Sequence, residues 1–385
     1  VTALPREIFT DEHQLYREQF RRFAEAEIAP RIEKWNREGM TDRETWCLVG
    51  EQGFLGAAAP QEYGGGGEDF LFDVVVMEEM ARLRAHAMMI SLHSDICMPY
   101  LTTYGTEEQK RRYLAPAISG ECLLALAMTE PGTGSDLANV QTRAIRDGDA
   151  YVLNGAKTFI SNGQICDLCI VVARTDPEAQ PPHRGISLLL VEADTAGFQR
   201  GRNLEKLGLK GQDTSELFFE DCRVPAENLL GGEGQGFKLL MSQLQQERLT
   251  IAVGSIASCR RALDDTIAYV REREAFGQRI SQFQNTQFKL AELATEVEVG
   301  QAFVDKVCAA HVRGDDMVTG ASMAKWWTTD LQKRLTGECL QLHGGYGFMA
   351  EYPISTDYAD AAVQPIYAGS NEIMKVIIAR RLGLE

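Results

Sequence analysis

The sequence predicts an α+β multidomain chain: an N-terminal helical domain over 1–121, a middle antiparallel β domain over 122–232 and a C-terminal helical bundle over 233–385. Three observations lead there. Apolar residues keep a helical spacing up to about Glu121. Between Cys122 and Leu230 the pattern changes to short β-prone segments beside Gly-containing turns. From Phe237 the helical period resumes and continues to the end. At 385 residues the chain is long enough for several cores.

In the first part, Asp11 is placed as the cap of a helix running through Leu15, Phe20, Phe23 and Ile28, with Pro30 near its end. The run Gly64-Gly65-Gly66-Gly67 reads as a flexible connection. Phe72 to Met80 and Ile90 to Tyr104 return to helical spacing. Thr106, with Gln109 three residues on, carries a capping signature.

In the middle part, Asp147-Gly148 and Asn154-Gly155 read as hairpin turns. Ile170 to Val172, Ile186 to Val191 and Leu217 to Phe219 read as strands, and Pro181-Pro182 as a surface loop. Strand and helix do not alternate, which argues against a parallel dinucleotide-binding sheet. The Gly-rich stretch from Gly231 to Gly236 lacks the preceding strand that a dinucleotide fingerprint requires. In the last part, helices are expected near 237–271, 283–313, 316–343 and 371–382, with interruptions at Gly277, Gly314 and Gly344-Gly345.

Composition narrows the function classes. Charged content of 24% and hydrophobic content of 44% are ordinary for a globular protein. No apolar run approaches the roughly 18 residues that span a bilayer. The opening Val1-Thr-Ala-Leu-Pro-Arg-Glu has neither a signal-peptide core nor an Arg-rich transit pattern. The expected location is the cytoplasm of a bacterium, or the mitochondrial matrix after removal of a presequence. A net charge of −16 opposes general nucleic-acid binding. The nine scattered Cys suit reduced thiols, not a disulfide scaffold. The six His show no metal-ligand spacing, so no metal is expected.

Glu247 is the most informative residue. It falls on one helical stripe with Leu240, Leu244 and Ile251. A carboxylate on an apolar face is costly unless paired or used. Partial desolvation raises its pKa toward the range of an effective general base. Periodicity alone favours a plainer reading, a helix-surface Glu paired with Arg248 or another cation.

Other segments carry chemistry. The loop from Met128 through Thr129 and Gly134 to Asp136 can aim backbone N–H groups at a phosphate or a heterocycle. Phe159 and Ser161, two apart on a strand, offer one face an aromatic plane and a hydroxyl, suited to a flat nitrogen-rich ring. Three further segments follow: Arg271 to Gln278 with Gln284 beyond it, Gln341 to Gly347, and Pro365 to Ile373.

In this order and spacing, the five segments together resemble the acyl-CoA dehydrogenase family over essentially the whole chain. The resemblance implies a helical domain, a β domain and a four-helix bundle, with non-covalent FAD in a homotetramer. It implies dehydrogenation of an acyl-CoA thioester at Cα and Cβ to the trans-2-enoyl-CoA, with an electron-transferring flavoprotein as acceptor.

By resemblance, the Met128-Thr129 segment meets the pyrimidine side of the flavin, and Ser135 lies near the phosphates and the thioester. Phe159 packs on the isoalloxazine and Ser161 reaches its N5. Arg273, Phe276, Gln284, Gln341, Gly344 and Gly345 hold the ADP half of FAD bound to a neighbouring subunit. Ser370 and Glu372 close over the cofactor. Tyr367, Gly369, Ser135 and Arg248 are expected near the substrate.

The chain departs from the common pattern at Ala368, where many members carry the catalytic Glu. The long-chain and isovaleryl members place the base on the first bundle helix, which matches Glu247. Ala368 keeps its backbone N–H for the thioester carbonyl. The closest subgroup is the long-chain type, and a medium-to-long or branched acyl chain is expected. Tyr367 weighs against isovaleryl specificity. Alternatives are an acyl-carrier-protein-linked substrate, an oxygen-using acyl-CoA oxidase and a non-catalytic flavin-binding scaffold.

Overall fold

The computed structural model describes residues 5–384. The first four residues of the opening segment, and Glu385, lie outside the described residues.

The first helix, Asp11–Phe23, is capped by Thr10 and not by Asp11. The Thr10 N–H donates to His13 Nδ1 at 3.1 Å. Asp11 takes the first helical position, where its charge complements the helix dipole. Pro30 does not end the helical path. A wide turn at Ala24–Ile28 and a tight turn at Ala29–Arg31 carry it into Ile32–Glu38, and left-handed Gly39 stops it. The wide turn accommodates the N–H that proline lacks.

The four-glycine run is not a flexible connection. Gly65, Gly66 and Gly67 donate to the carbonyls of Pro60, Gly56 and Ala59. A Cβ on Gly65 would lie 2.2 Å from the Ala59 oxygen. Close backbone approach, not mobility, requires glycine there. The helix Phe70–Leu83 follows and is buried around most of its circumference. Phe70, Leu71, Val74 and Met77 join the core of the C-terminal bundle, while Val76 and Met80 join the N-terminal core. A helix that buries apolar residues on opposite sides is a seam between two cores. The Thr106–Gln109 capping box forms as the sequence predicts.

The middle part is a sheet in the order β6-β7-β3-β2-β4-β5-β8, with β1 on β4. The strands are β1 Leu124–Ala127, β2 Arg143–Asp147, β3 Ala150–Ser161, β4 Leu168–Arg174, β5 Ile186–Glu192, β6 Phe198–Asn203, β7 Thr214–Pro225 and β8 Leu229–Leu230. It is mixed, not purely antiparallel: β1 and β2 both run parallel to β4. Successive β4 residues alternate between two cores. Leu168, Ile170 and Val172 face the N-terminal helices, and Cys169, Val171 and Ala173 the sheet's own core. Burial on both faces explains its unbroken apolar run.

Asp147-Gly148 does turn the chain from β2 into β3. Asn154-Gly155 does not. It is a bulge inside continuous β3, where the register against β7 shifts between Leu153 and Gly155. The Asn154 carboxamide exchanges two hydrogen bonds with Asp221 across the bulge, so a turn-forming dipeptide serves a bulge instead. The Gly231 stretch is preceded by a strand after all. That strand, β8, has two residues and pairs antiparallel with β5, which is not the dinucleotide-binding arrangement.

The bundle comprises Gly236–Glu272, Gln284–Val312, Val318–Leu342 and Asn371–Arg381. A further helix, Pro353–Ala361, was not anticipated. Its polar residues hide the period, although Pro353 at the first position is a start signal.

Gly155→Ala should destabilise the middle part by about 1–3 kcal/mol. Its φ is +152°, and the new Cβ would meet Thr142 Oγ1 at 2.5 Å. A urea-unfolding midpoint unchanged from wild type would contradict this account of the bulge.

Candidate active site

Leu240, Leu244, Glu247 and Ile251 share one buried stripe of the first bundle helix. Glu247 is only 2% exposed. Its Oε1 accepts a hydrogen bond from the Tyr100 hydroxyl at 2.7 Å. Tyr100 is itself fully buried, in the helix Met98–Tyr104. The carboxylate therefore sits where two domains meet. Arg248 is also buried, but it makes no ion pair with Glu247 among the described residues, and its Nε has no hydrogen-bond partner.

Burial raises the Glu247 pKa from its ordinary 4.5 to about 7, against the opposing pull of the Tyr100 hydroxyl and the Arg248 charge. Sequence reasoning points to the Ser91–Tyr100 segment for pocket depth but missed the bond from Tyr100 to Glu247. Nothing in local spacing links it to a residue 147 positions away.

A narrow slot continues along the same helix, lined by Thr250, Ile251, Gly254 and Ser258. Met77, Met80, Met88 and Met89 wall its other side, and Gln364 and Tyr367 lie at it too. A Cβ on Gly254 would meet nothing within 4 Å. Methionines suit an apolar ligand of variable shape.

The loop from Pro365 to Asn371 turns over through two left-handed residues, Ala368 at φ +51° and Gly369 at φ +90°. A non-glycine residue held there costs about 1–3 kcal/mol and needs external support. The Ala368 N–H donates to no backbone carbonyl among the described residues. The Asn371 N–H closes the loop onto the Pro365 carbonyl at 2.9 Å. The Tyr367 hydroxyl donates to Gln364 Oε1 at 2.8 Å. Ser370 caps the last bundle helix, and Glu372 is exposed in its first turn. Hydrogen bonds from its own backbone N–H and from Ser370 hold the Glu372 carboxyl below its ordinary value. Lys325, fully buried on the third bundle helix, also reaches this loop and was not anticipated.

The loop after β1 lies against β3. The Thr158 N–H donates to the Thr129 carbonyl at 2.9 Å. Buried Lys157 bonds the Met128 carbonyl and pairs with Glu130, whose carboxylate also accepts the N–H groups of Gln141 and Thr142. Met128 and Thr129 are thereby fixed beside Phe159 and Ser161. Ile160 is buried between those two, while Phe159 is 67% exposed and left-handed at φ +59°. Gly134 and Ser135 stand exposed at the loop's far side.

A second, open groove brings together Arg273, Gln341, Gly344 and Gly345. The Arg273 guanidinium lies over the Tyr346 ring at 5.4 Å and pairs with no carboxylate among the described residues. Phe276 and Gln284 do not line this groove. Phe276 is 96% exposed at the tip of a two-stranded hairpin, Glu274–Ala275 with Gln278–Arg279, and Gln284 opens the second bundle helix. The groove and the slot beside Glu247 share no lining residue. An unpaired arginine beside exposed glycine backbone fits an anionic phosphate ligand such as the pyrophosphate of FAD.

Comparison with known proteins agrees with this architecture. The chain matches the N-terminal, middle and C-terminal domains of acyl-CoA dehydrogenase over residues 10–121, 125–222 and 234–383. It is 48% identical to the mitochondrial long-chain specific acyl-CoA dehydrogenase of Rattus norvegicus, over 98% of this chain and 88% of that one. The crystal structure of an acyl-CoA dehydrogenase from Geobacillus kaustophilus superposes with a TM-score of 0.97 at 51% identity, covering 98% of this chain and 100% of that one. An acyl-CoA dehydrogenase from Bacillus anthracis, solved in complex with FAD, is similar at a TM-score of 0.92 and 31% identity, over 99% and 68% of the two chains. This chain is an FAD-dependent flavoprotein oxidoreductase and belongs to the acyl-CoA dehydrogenase family.

Proposed function

We propose that the chain dehydrogenates a medium-to-long acyl-CoA thioester to its trans-2-enoyl product, with Glu247 as the base. The observation that carries this reading is the buried Glu247 carboxylate, with a pKa near neutrality, one helical turn before Thr250 and Ile251 at the Met-walled slot, while position 368 holds alanine. Glu247 takes the Cα proton. The Ala368 N–H donates to the thioester carbonyl oxygen, where negative charge develops. FAD, when bound, supplies the acceptor for the hydride that leaves Cβ. Tyr100 keeps the Glu247 carboxylate aimed and partly charged.

The acyl chain follows the helix from Glu247 past Gly254 to Ser258. Eleven residues at 1.5 Å each give this path a length of roughly 16 Å. Tyr367 and Gly369 border the thioester end, with Arg248 beside the base.

Met128, Thr129, Gly134, Ser135, Phe159 and Ser161 would hold the flavin half of FAD. Arg273, Gln341, Gly344 and Gly345 would hold the ADP half of a cofactor bound mainly to a neighbouring subunit, with Phe276 and Gln284 reaching across. The separation of groove from slot within one protomer supports this, as does an exposed aromatic on a hairpin tip. Ser370 and Glu372 would close over the cofactor. The assembly is then a homotetramer, and the electron acceptor an electron-transferring flavoprotein.

Glu247→Gln keeps size and hydrogen bonding but loses basicity. Anaerobic flavin reduction by acyl-CoA should slow by about 10²–10⁴ while FAD content is retained. Near-normal bleaching in stopped flow would assign the proton to another group.

Tyr100→Phe removes a donor that favours the charged carboxylate. The Glu247 pKa should rise further, so the acid limb of the flavin-reduction pH profile should move to higher pH. Hydrogen bonds to charged groups are worth about 1.5–3 kcal/mol, which sets the upper scale of that shift. A limb at the wild-type position would show that the bond does not tune the base.

Gly254→Leu should fill the slot. Long-chain kcat/KM should fall about 10–200-fold, the scale of a few methylenes in an apolar pocket. Short-chain substrates should be nearly unaffected. An equal loss at every chain length would place the acyl tail elsewhere.

A further inference from the structure

We propose that Lys325 is a positioning residue for the thioester-binding loop, its buried ammonium fixing the Ala368 N–H in place through Gly369 and Asn371. The proposal rests on the reading of Ala368 given above.

Lys325 has no exposed surface. Its Nζ donates to the Gly369 carbonyl at 2.8 Å and to Asn371 Oδ1 at 3.1 Å. No carboxylate lies within ion-pair distance of it among the described residues. Asp330 and Glu372 act on this ammonium only from beyond ion-pair distance, so burying it is unfavourable, and a methionine would fill the same space at less cost. Both of its donated bonds go to residues just beyond the loop apex. Tyr367, through Gln364, holds the side before the apex.

Asn371 extends the clamp. Its Nδ2 donates to Thr329 Oγ1 at 2.9 Å and to Asp330 Oδ1 at 2.8 Å, both on the Lys325 helix. The left-handed Ala368 is therefore tied from both sides, and on the far side Lys325 bonds the adjoining Gly369 directly. Its bonds are to protein groups of the loop, so it acts on the thioester through Ala368. Burial lowers the Lys325 pKa to about 8, which leaves the ammonium charged at neutral pH. A fixed positive charge behind the loop also favours negative charge developing in front of it.

The test is the ionisation of acetoacetyl-CoA bound to the FAD-loaded protein, read from enolate absorbance against pH. Wild type should ionise this ligand at a lower pH than free solution does. Lys325→Met, with FAD content and melting temperature checked, should raise the midpoint by about one pH unit, a tenfold loss of enolate at fixed pH. Lys325→Arg, which keeps donor and charge, should recover at least half of that shift. A folded Lys325→Met protein with the wild-type midpoint would overturn the proposal.

Should Lys325→Met fail to fold, Lys325→Gln is uncharged and one atom too short to reach Gly369. A wild-type midpoint in that variant would overturn the proposal equally. A wild-type protein that ionises the ligand no more readily than water does would overturn the Ala368 reading and, with it, this one. A wild-type effect that persists in the variants would remove Lys325 alone.

Discussion

A carboxylate buried between two domains is the constraint on which the rest of this structure depends. Glu247 comes from the C-terminal bundle and the hydroxyl that meets it from the N-terminal helices. Neither domain can move without breaking a charge-assisted bond in a dry setting, where such bonds are strongest. The seam helix Phe70–Leu83 makes that closeness stable by contributing to both cores. The same helix supplies Met77 and Met80 to the slot, so domain packing and the slot wall are set by one element.

Three of the strained backbone positions lie in segments proposed to meet cofactor or substrate. Phe159, Phe276 and Ala368 are all non-glycine residues in the left-handed region, and all lie in segments marked out in the sequence. Each is held differently. Phe159 follows Lys157 and Thr158, which are anchored to the loop after β1 by the Glu130 ion pair and a backbone bond. Phe276 is imposed by a tight hairpin turn with Gly277. Ala368 adjoins Gly369, whose carbonyl is bonded by Lys325. Such conformations persist only where surroundings over-determine them.

The sequence made the periodic features legible. The three-part division and the main bundle helices follow from apolar spacing, and so does the buried stripe of Glu247. What it concealed depended on long-range pairing. Asn154-Gly155 carries hairpin chemistry, but its partner Asp221 lies on β7, and only that pairing makes it a bulge. Four consecutive glycines signal freedom locally, while their carbonyl partners in Gly56 to Pro60 show confinement. The parallel pairing of β1 could not be read from a four-residue apolar run. At the site, Glu247 and Ala368 were visible because one is an odd residue on its stripe and the other departs from a motif. Tyr100 and Lys325 were not, because a buried Tyr or Lys in a helix has no local signature of what it touches.

The buried carboxylate also has a consequence for the equilibrium between folded and unfolded chain. Glu247 has a pKa of about 7 in the native state against an ordinary 4.5. Between those values the unfolded chain has released this proton and the native chain retains it, so folding takes up a proton at this residue. The contribution of Glu247 is most favourable below the lower value and is lost as pH rises through the upper one. The difference is on the order of 3 kcal/mol, a sizeable part of a typical domain's net stability. A chain selected for stability alone would discard this group, so its retention fits the proposed role of Glu247 as the base.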